Sequence, residues 1–283
     1  FCAVMALCGP GDELIVFEPF FDSYAGSAKM AGCGLKAVTL RLPDFSFTEA
    51  DLEKAVSPRT KAIIVNNPHN PTGKVYTREE LEIIGRVAEK HNLTVISDEV
   101  YENLVFDGLK HIPTASVPGL ENRTVTISST AKTFSSTGWK IGYMCAPPLL
   151  SEAVRAVHQW VTFAVNTPLQ IAFSKIIPAS AEYSRKFCAE MEKRRDFLTE
   201  KATEWGFDPI KSAGSYFFMA TFDRISDLDD MKFMEYMIRE KQVALIPASP
   251  FYLNAMDEGK RLVRFNFVKS METLEKAAEN MRI

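Results

Sequence analysis

Short apolar runs rich in Val, Ile and Thr recur through the first half of this chain with helical patterns between them. That alternation limits the fold more than any other feature. The runs occupy residues 13–17, 35–40, 61–66, 93–98 and 123–128. Residues 77–91 carry the plainest helical pattern and open Thr77-Arg78-Glu79-Glu80, a capping box in which the Thr and Glu side chains serve each other's free backbone N–H. Strands alternating with helices make a mostly parallel sheet with helices on both faces. Residues 140–146 are one further strand candidate. The expectation is an α/β fold, a mostly parallel sheet sandwiched by helices.

The chain has 283 residues, 46% of them hydrophobic, enough for one large domain and a smaller one. The texture changes after Pro147-Pro148. Residues 149–161 are helical, and 179–205 form a long charged amphipathic helix suited to connect two units. A strand at 216–221, a helix at 229–241, strands at 243–246 and 262–267 and a final helix from Glu272 then make a smaller α+β unit. We expect domains at 1–180 and 181–283.

The formal net charge is -3, which suggests neither a nucleic-acid nor an anionic-membrane partner. Lys193-Arg194-Arg195 lies on a helical pattern among acidic residues and reads as a solvated face. Five cysteines, an odd number with no CxxC spacing, read as free thiols in a reducing compartment. Four scattered histidines without HExxH give no metal site. No apolar run approaches the roughly 20 residues of a membrane helix, and no signal peptide is visible. A cytoplasmic location is expected, an organelle transit peptide upstream being compatible with it. Residues 1–7 look like a helix that ends well at Gly9-Pro10-Gly11 but has no beginning. The expectation is a piece of a longer protein.

In parallel α/β sheets, ligands bind outside the carboxyl ends of the strands. Three strand ends here carry polar residues: Asn66-Asn67-Pro68-His69-Asn70-Pro71-Thr72-Gly73, Asp98-Glu99-Val100-Tyr101 and Ser129-Thr130-Ala131-Lys132. Each has an ordinary explanation when taken alone. The first is full of turn formers, the Asp is a helix cap, and the Lys is a solvated side chain. Their coincidence at successive strand ends points to a site.

Together with Gly138-Trp139-Lys140-Ile141-Gly142 and Arg264-Phe265-Asn266-Phe267, these strings resemble the fold-type I aminotransferases of class I/II, in order and spacing along nearly the whole chain. The resemblance implies a large domain with a seven-stranded type of sheet, a homodimer, and pyridoxal 5′-phosphate as cofactor. It implies that Lys132 holds the cofactor as a Schiff base and moves the substrate's α-proton. Asp98 faces the pyridine nitrogen, which must stay protonated for the ring to act as an electron sink. Tyr101 and Asn70 serve the phenolic oxygen, and Phe21, in Glu18-Pro19-Phe20-Phe21-Asp22-Ser23-Tyr24, stacks on the ring. Ser129 and Lys140 hold the phosphate; many relatives have Arg where Lys140 stands, and a lysine offers a point charge in place of a fork. Arg264, with Asn70, takes the substrate carboxylate.

The strings around Phe21 and Arg264 are most similar to the kynurenine or glutamine transaminase group, also known as cysteine-conjugate β-lyases. This implies amino-group transfer from an aromatic, sulfur-containing or glutamine-type L-amino acid to a 2-oxo acid. Relatives often have a histidine where Ala164 follows Phe163. A carbon–sulfur β-lyase uses the same residues and is the alternative within enzymes. The alternative of another class is the cofactor-sensing, aminotransferase-like domain of a transcription regulator. Ser129-x-x-Lys132 also fits the penicillin-binding signature, but the S-D-N and K-T-G partners are absent. Relatives carry a phosphate loop just before the helix in which this chain begins. The expectation is that the chain alone binds cofactor weakly and is inactive.

Overall fold

The strands β1 (Glu13–Glu18) and β3 (Thr60–Asn66) are buried almost from end to end, as strands covered on both faces must be. The computed structural model describes residues 1–281; residues 282 and 283, the end of the expected second unit, lie outside the described residues. Helix α1 (Cys2–Leu7) precedes β1. Helix α2 (Ser23–Ala31), β2 (Gly34–Thr39) and α3 (Glu49–Ala55) lead to β3; α4 (Arg78–Lys90), β4 (Thr94–Asp98), β5 (Thr124–Ser129), α5 (Thr130–Thr133) and β6 (Gly142–Cys145) follow.

The sheet order is β2-β1-β3-β4-β5-β6, parallel except for β6. The sheet has six strands among the described residues, where the seven-stranded type has one more. The order reverses at β1, so β1 and β3 flank the crevice at which such sheets bind ligands. The register pairs Asn66 with Asp98 and Asp98 with Ile127, which brings these strand ends to one level.

Alternate side chains of each strand enter opposite cores. Ile15, Phe17, Ile63, Val65 and Val95 pack on one face with Leu81, Ile84 and Val87 of α4. Leu14, Val16, Ala62, Ile64 and Val125 pack on the other with Ala3, Val4 and Ala28. Each fully buried side chain of this size contributes about 1.5–3 kcal/mol. The α4 capping box forms as read: Glu80 N–H donates to Thr77 Oγ1 at 3.2 Å and Thr77 N–H to Glu80 Oε2 at 2.9 Å.

Beyond β6 come α6 (Pro148–Val161), α7 (Thr167–Ile176) and the long α8 (Ala181–Glu204). Then β7 (Asp208–Pro209), β8 (Phe217–Thr221), α9 (Asp230–Lys241), β9 (Ile246–Pro247), α10 (Met256–Gly259), β10 (Leu262–Asn266) and α11 (Met271–Met281) complete the described chain. An antiparallel sheet, β7-β8-β10-β9, packs over an aromatic core in which Phe218 stacks on Phe265 at 4.8 Å and Phe222 on Phe233 at 4.2 Å. The strand expected at 243–246 pairs only at Ile246–Pro247. Gln242 turns left-handed (φ 54) and Val243 N–H wraps back to Met237 O, so the residues after α9 close the helix instead of extending.

Arg195 corrects another expectation. It is buried, its guanidinium bonded to Asp107 at 2.8 and 3.1 Å and to Ser212 O at 2.8 Å, so the basic run does not face solvent throughout. The late segment around Phe251 packs into the first core beside Phe17 and Leu52. Glu18, fully buried at the end of β1, anchors it. Its carboxylate accepts from Thr39 Oγ1 (2.6 Å) and from the N–H groups of Leu253 (2.6 Å), Asn254 (2.9 Å) and Ala255 (3.1 Å). Four donors satisfy a charge that burial alone would make costly.

Candidate active site

The ends of β3, β4 and β5 deliver their polar residues to one crevice. Asn66 ties two of them together: its Nδ2 donates to Asp98 O at 2.9 Å and its Oδ1 accepts from Asn70 N–H at 2.7 Å. Asp98 takes a hydrogen bond from Tyr24 OH on Oδ2 at 2.7 Å and from Val100 N–H on Oδ1 at 3.3 Å. Desolvation is the largest influence on Asp98 and raises its pKa; the Tyr24 hydroxyl and the Lys132 charge oppose that rise. Burial and the neighbouring Asp98 push the Tyr24 phenol well up, so it stays a donor. Tyr101 is buried, and desolvation raises its pKa as well.

Lys132 sits on the four-residue α5, which Ser129 caps by accepting from Ala131 N–H at 3.1 Å. Its Nζ lies 5.7 Å from the Tyr101 ring centre. Among the described residues no carboxylate comes within ion-pair distance of it. Desolvation lowers its pKa; the Asp98 charge opposes this, and the Lys140 and Arg264 charges add to it. Arg264 reaches the same crevice from β10. Its guanidinium stacks on Phe217 at 4.1 Å and Phe251 at 5.0 Å, and Nη1 donates to Asn70 Oδ1 at 2.7 Å. Burial lowers its pKa, and Nε is buried without a partner.

The structure thus brings Asp98, Tyr101, Asn70, Lys132 and Arg264 together. Phe21 lies at the rim, 38% exposed and edge-on to Tyr24 at 5.6 Å. Lys140 is exposed in left-handed backbone (φ 56), near enough for its charge to act on Lys132. Ser129 Oγ is engaged with the backbone, donating to Ile141 O at 3.2 Å. Tyr24 and Asn66 were not picked out from the sequence. Tyr24 stands three residues after Phe21 and its N–H donates to Phe21 O at 3.0 Å, so the turn that leads into α2 sets the two rings side by side.

The sequence pattern of "Aminotransferase class I and II" matches residues 1–281. The chain belongs to this family. It is 38% identical to a kynurenine–oxoglutarate transaminase of Dictyostelium discoideum, over 99% of this chain and 73% of that one. The solved N-succinyldiaminopimelate aminotransferase of Mycobacterium tuberculosis superposes with a TM-score of 0.95 at 40% identity, covering 99% of this chain and 73% of that one. A solved Escherichia coli protein with methionine aminotransferase function gives 0.94 at 35% identity, covering 99% and 74%. The aminotransferase is therefore an enzyme that uses pyridoxal phosphate, as members of the family do.

The residues present fit that cofactor. Among the described residues Lys132 has no carboxylate counterion and Arg264 Nε is an orphaned buried donor; both call for anionic or carbonyl partners brought from outside. Asp98, a partly desolvated carboxylate across from Lys132, calls for a protonated ring nitrogen.

Proposed function

We propose that this aminotransferase transfers the amino group of aromatic, sulfur-containing or glutamine-type L-amino acids, kynurenine among them, to a 2-oxo acid. The observation that carries this reading is the setting of Arg264. A half-buried guanidinium stacked on two phenyl rings, with a free buried N–H, suits an α-carboxylate whose neighbouring side chain can rest on apolar surface. Relatives named for kynurenine and methionine support it.

The roles follow from the environments. When bound, the cofactor supplies an electron sink for the charge that develops at the substrate's α-carbon. Lys132 holds the cofactor and moves the α-proton; its lowered pKa leaves more of the amine neutral and able to accept that proton. Asp98 would pair with the ring nitrogen, and the Tyr24 hydroxyl favours the ionised carboxylate against the desolvation that opposes it. Tyr101 and Asn70 would hold the phenolic oxygen, Phe21 the ring face, and Ser129 and Lys140 the phosphate. Arg264, steadied by Asn70, orients the substrate through its carboxylate.

We divide the chain into a cofactor-binding unit at 1–180 and a smaller unit at 181–283. A homodimer is the assembly we propose. Leu149, Trp160 and Phe163 are exposed by 78, 87 and 74%, which is much apolar surface to leave in water. Cytoplasmic residence is supported by five free cysteines. No described helix is long and apolar enough to cross a membrane.

With the full-length protein, a panel of amino donors with 2-oxo acids, read by oxo-acid formation, tests the specificity, and pyruvate release from cysteine conjugates reports elimination. Preference for aspartate over every aromatic and sulfur-containing donor would refute the reading. Lys132→Ala is expected to lose the covalent cofactor; a variant that retained it would remove Lys132 from its role.

A further inference from the structure

Residues 212–217 come from the C-terminal part of the chain yet run between the loops that carry Asn70 and Tyr101. Ala213 and Gly214 N–H groups both donate to Gly73 O, at 2.8 and 2.9 Å. Phe106 N–H donates to Ala213 O at 2.9 Å, Ser215 N–H to Leu104 O at 3.0 Å, and Arg195 Nη1 to Ser212 O at 2.8 Å. The passage is tight. A Cβ on Gly214 would lie 2.7 Å from Leu104 O and 2.9 Å from Pro68 Cβ, and one on Gly73 would run into the Ser212 side chain.

Two residues of this strap reach into the site. Phe217 supports the Arg264 guanidinium at 4.1 Å. The Tyr216 ring packs edge-on to Tyr101 at 5.3 Å, and its hydroxyl donates to the backbone carbonyl of Lys132. That carbonyl has a special need. Helix α5 ends one residue after Lys132, and the Ser136 N–H that a longer helix would aim at Lys132 O goes to Ala131 O at 3.0 Å. Tyr216 supplies the donor that the truncated helix does not. Burial raises the pKa of its phenol, so the proton it donates is held.

We propose that Tyr216 is a positioning residue for Lys132. Its hydroxyl fixes the carbonyl of that lysine and thereby aims Nζ, while the strap ties this aim to Tyr101 and Arg264. Amine, phenol and guanidinium then keep one relative placement through turnover. The inference rests on Lys132 being the cofactor-bearing lysine, as proposed above.

Borohydride reduction of the holoenzyme with peptide mapping first reads which lysine carries the cofactor, independently of Tyr216. Tyr216→Phe, which deletes only the hydroxyl, is then compared with Tyr216→Ala. For the Phe variant we expect kcat to fall about tenfold, the factor that corresponds to about 1.4 kcal/mol of lost hydrogen bonding. KM for the amino donor stays within about twofold, because the carboxylate clamp is untouched. The isotope effect on kcat with an α-deuterated donor grows as proton movement slows.

A second readout needs no turnover. In cofactor-free protein, modification of Lys132 by a small amine-directed reagent, followed by mass spectrometry, shifts to higher pH in Tyr216→Phe. The released lysine regains water, and its depressed pKa relaxes upward. Unchanged kcat, isotope effect and labelling profile in Tyr216→Phe, with Tyr216→Ala impaired, would make Tyr216 a spacer ring and overturn the proposal. Loss of the fold in Tyr216→Phe would overturn it too, since the hydroxyl would then hold the structure rather than aim the lysine. Cofactor mapped to another lysine defeats the site reading itself, whatever Tyr216 does.

Discussion

Tyr24→Phe removes one oxygen from the site and leaves Asp98 Oδ2 without its 2.7 Å donor. Asp98 then keeps only the Val100 N–H, at 3.3 Å, and the desolvation that already raises its pKa goes less opposed. A hydrogen bond to a charged group is worth about 1.5–3 kcal/mol, so the ionised carboxylate weakens against its protonated form by roughly ten- to a hundredfold. The pKa of Asp98 therefore moves up, and the carboxylate is lost at a higher pH than in the wild type. The acid limb of the kcat/KM profile, which reports the free enzyme, shifts to higher pH while the plateau above it holds. The assay is a pH series with a saturating 2-oxo acid, the visible cofactor band being titrated in parallel. A Tyr24→Phe enzyme with a lowered plateau and an unmoved acid limb would refute the reasoning, because Tyr24 would then be acting on something other than the charge of Asp98.

Arg264→Lys keeps the charge but loses the planar stack on Phe217 and Phe251 and the fork proposed to hold the substrate carboxylate. We expect kcat/KM for amino donors to drop by about thirty- to a thousandfold, on the order of 2–4 kcal/mol, mainly through KM. Gly214→Ala forces a methyl against Leu104 O and Pro68, and denaturant titration should show a loss of about 1–3 kcal/mol; an unchanged midpoint would mean that the strap has slack. Glu18→Gln turns an amide N–H₂ toward backbone N–H groups. It should cost about 2–4 kcal/mol by the same measurement, since buried donors then face a donor.

The legible part of this molecule was the part whose signal is local. The first five strands and α4 were readable because a buried strand needs an unbroken apolar run and because the Thr77–Glu80 box announces its helix. The gathering of Asp98, Asn70 and Lys132 was readable because a parallel sheet sends its strand ends to one crevice. Tyr24 was not, because its partner lies 74 residues away and α2 has no side-chain cap to mark its start. Arg195 looked solvated because a charged helix face is usually wet; Asp107, 88 residues earlier, makes it a buried contact. The strand expected at 243–246 was displaced because the left-handed turn at Gln242 is a cap chosen by geometry, with no glycine to signal it.

The carboxylate of Glu18 closes a loop of some 235 residues. Phe251, Tyr252 and Leu262 complete a core whose other members, Phe17, Phe47 and Tyr76, leave the ribosome far earlier. During synthesis those early rings therefore wait in solvent until residues 251–262 have emerged. Contacts of such long range close slowly, and the exposed apolar surface favours aggregation meanwhile. The first sheet is thus a half-finished structure until that late segment docks, and folding should depend on holding chaperones in proportion to how long the docking is delayed.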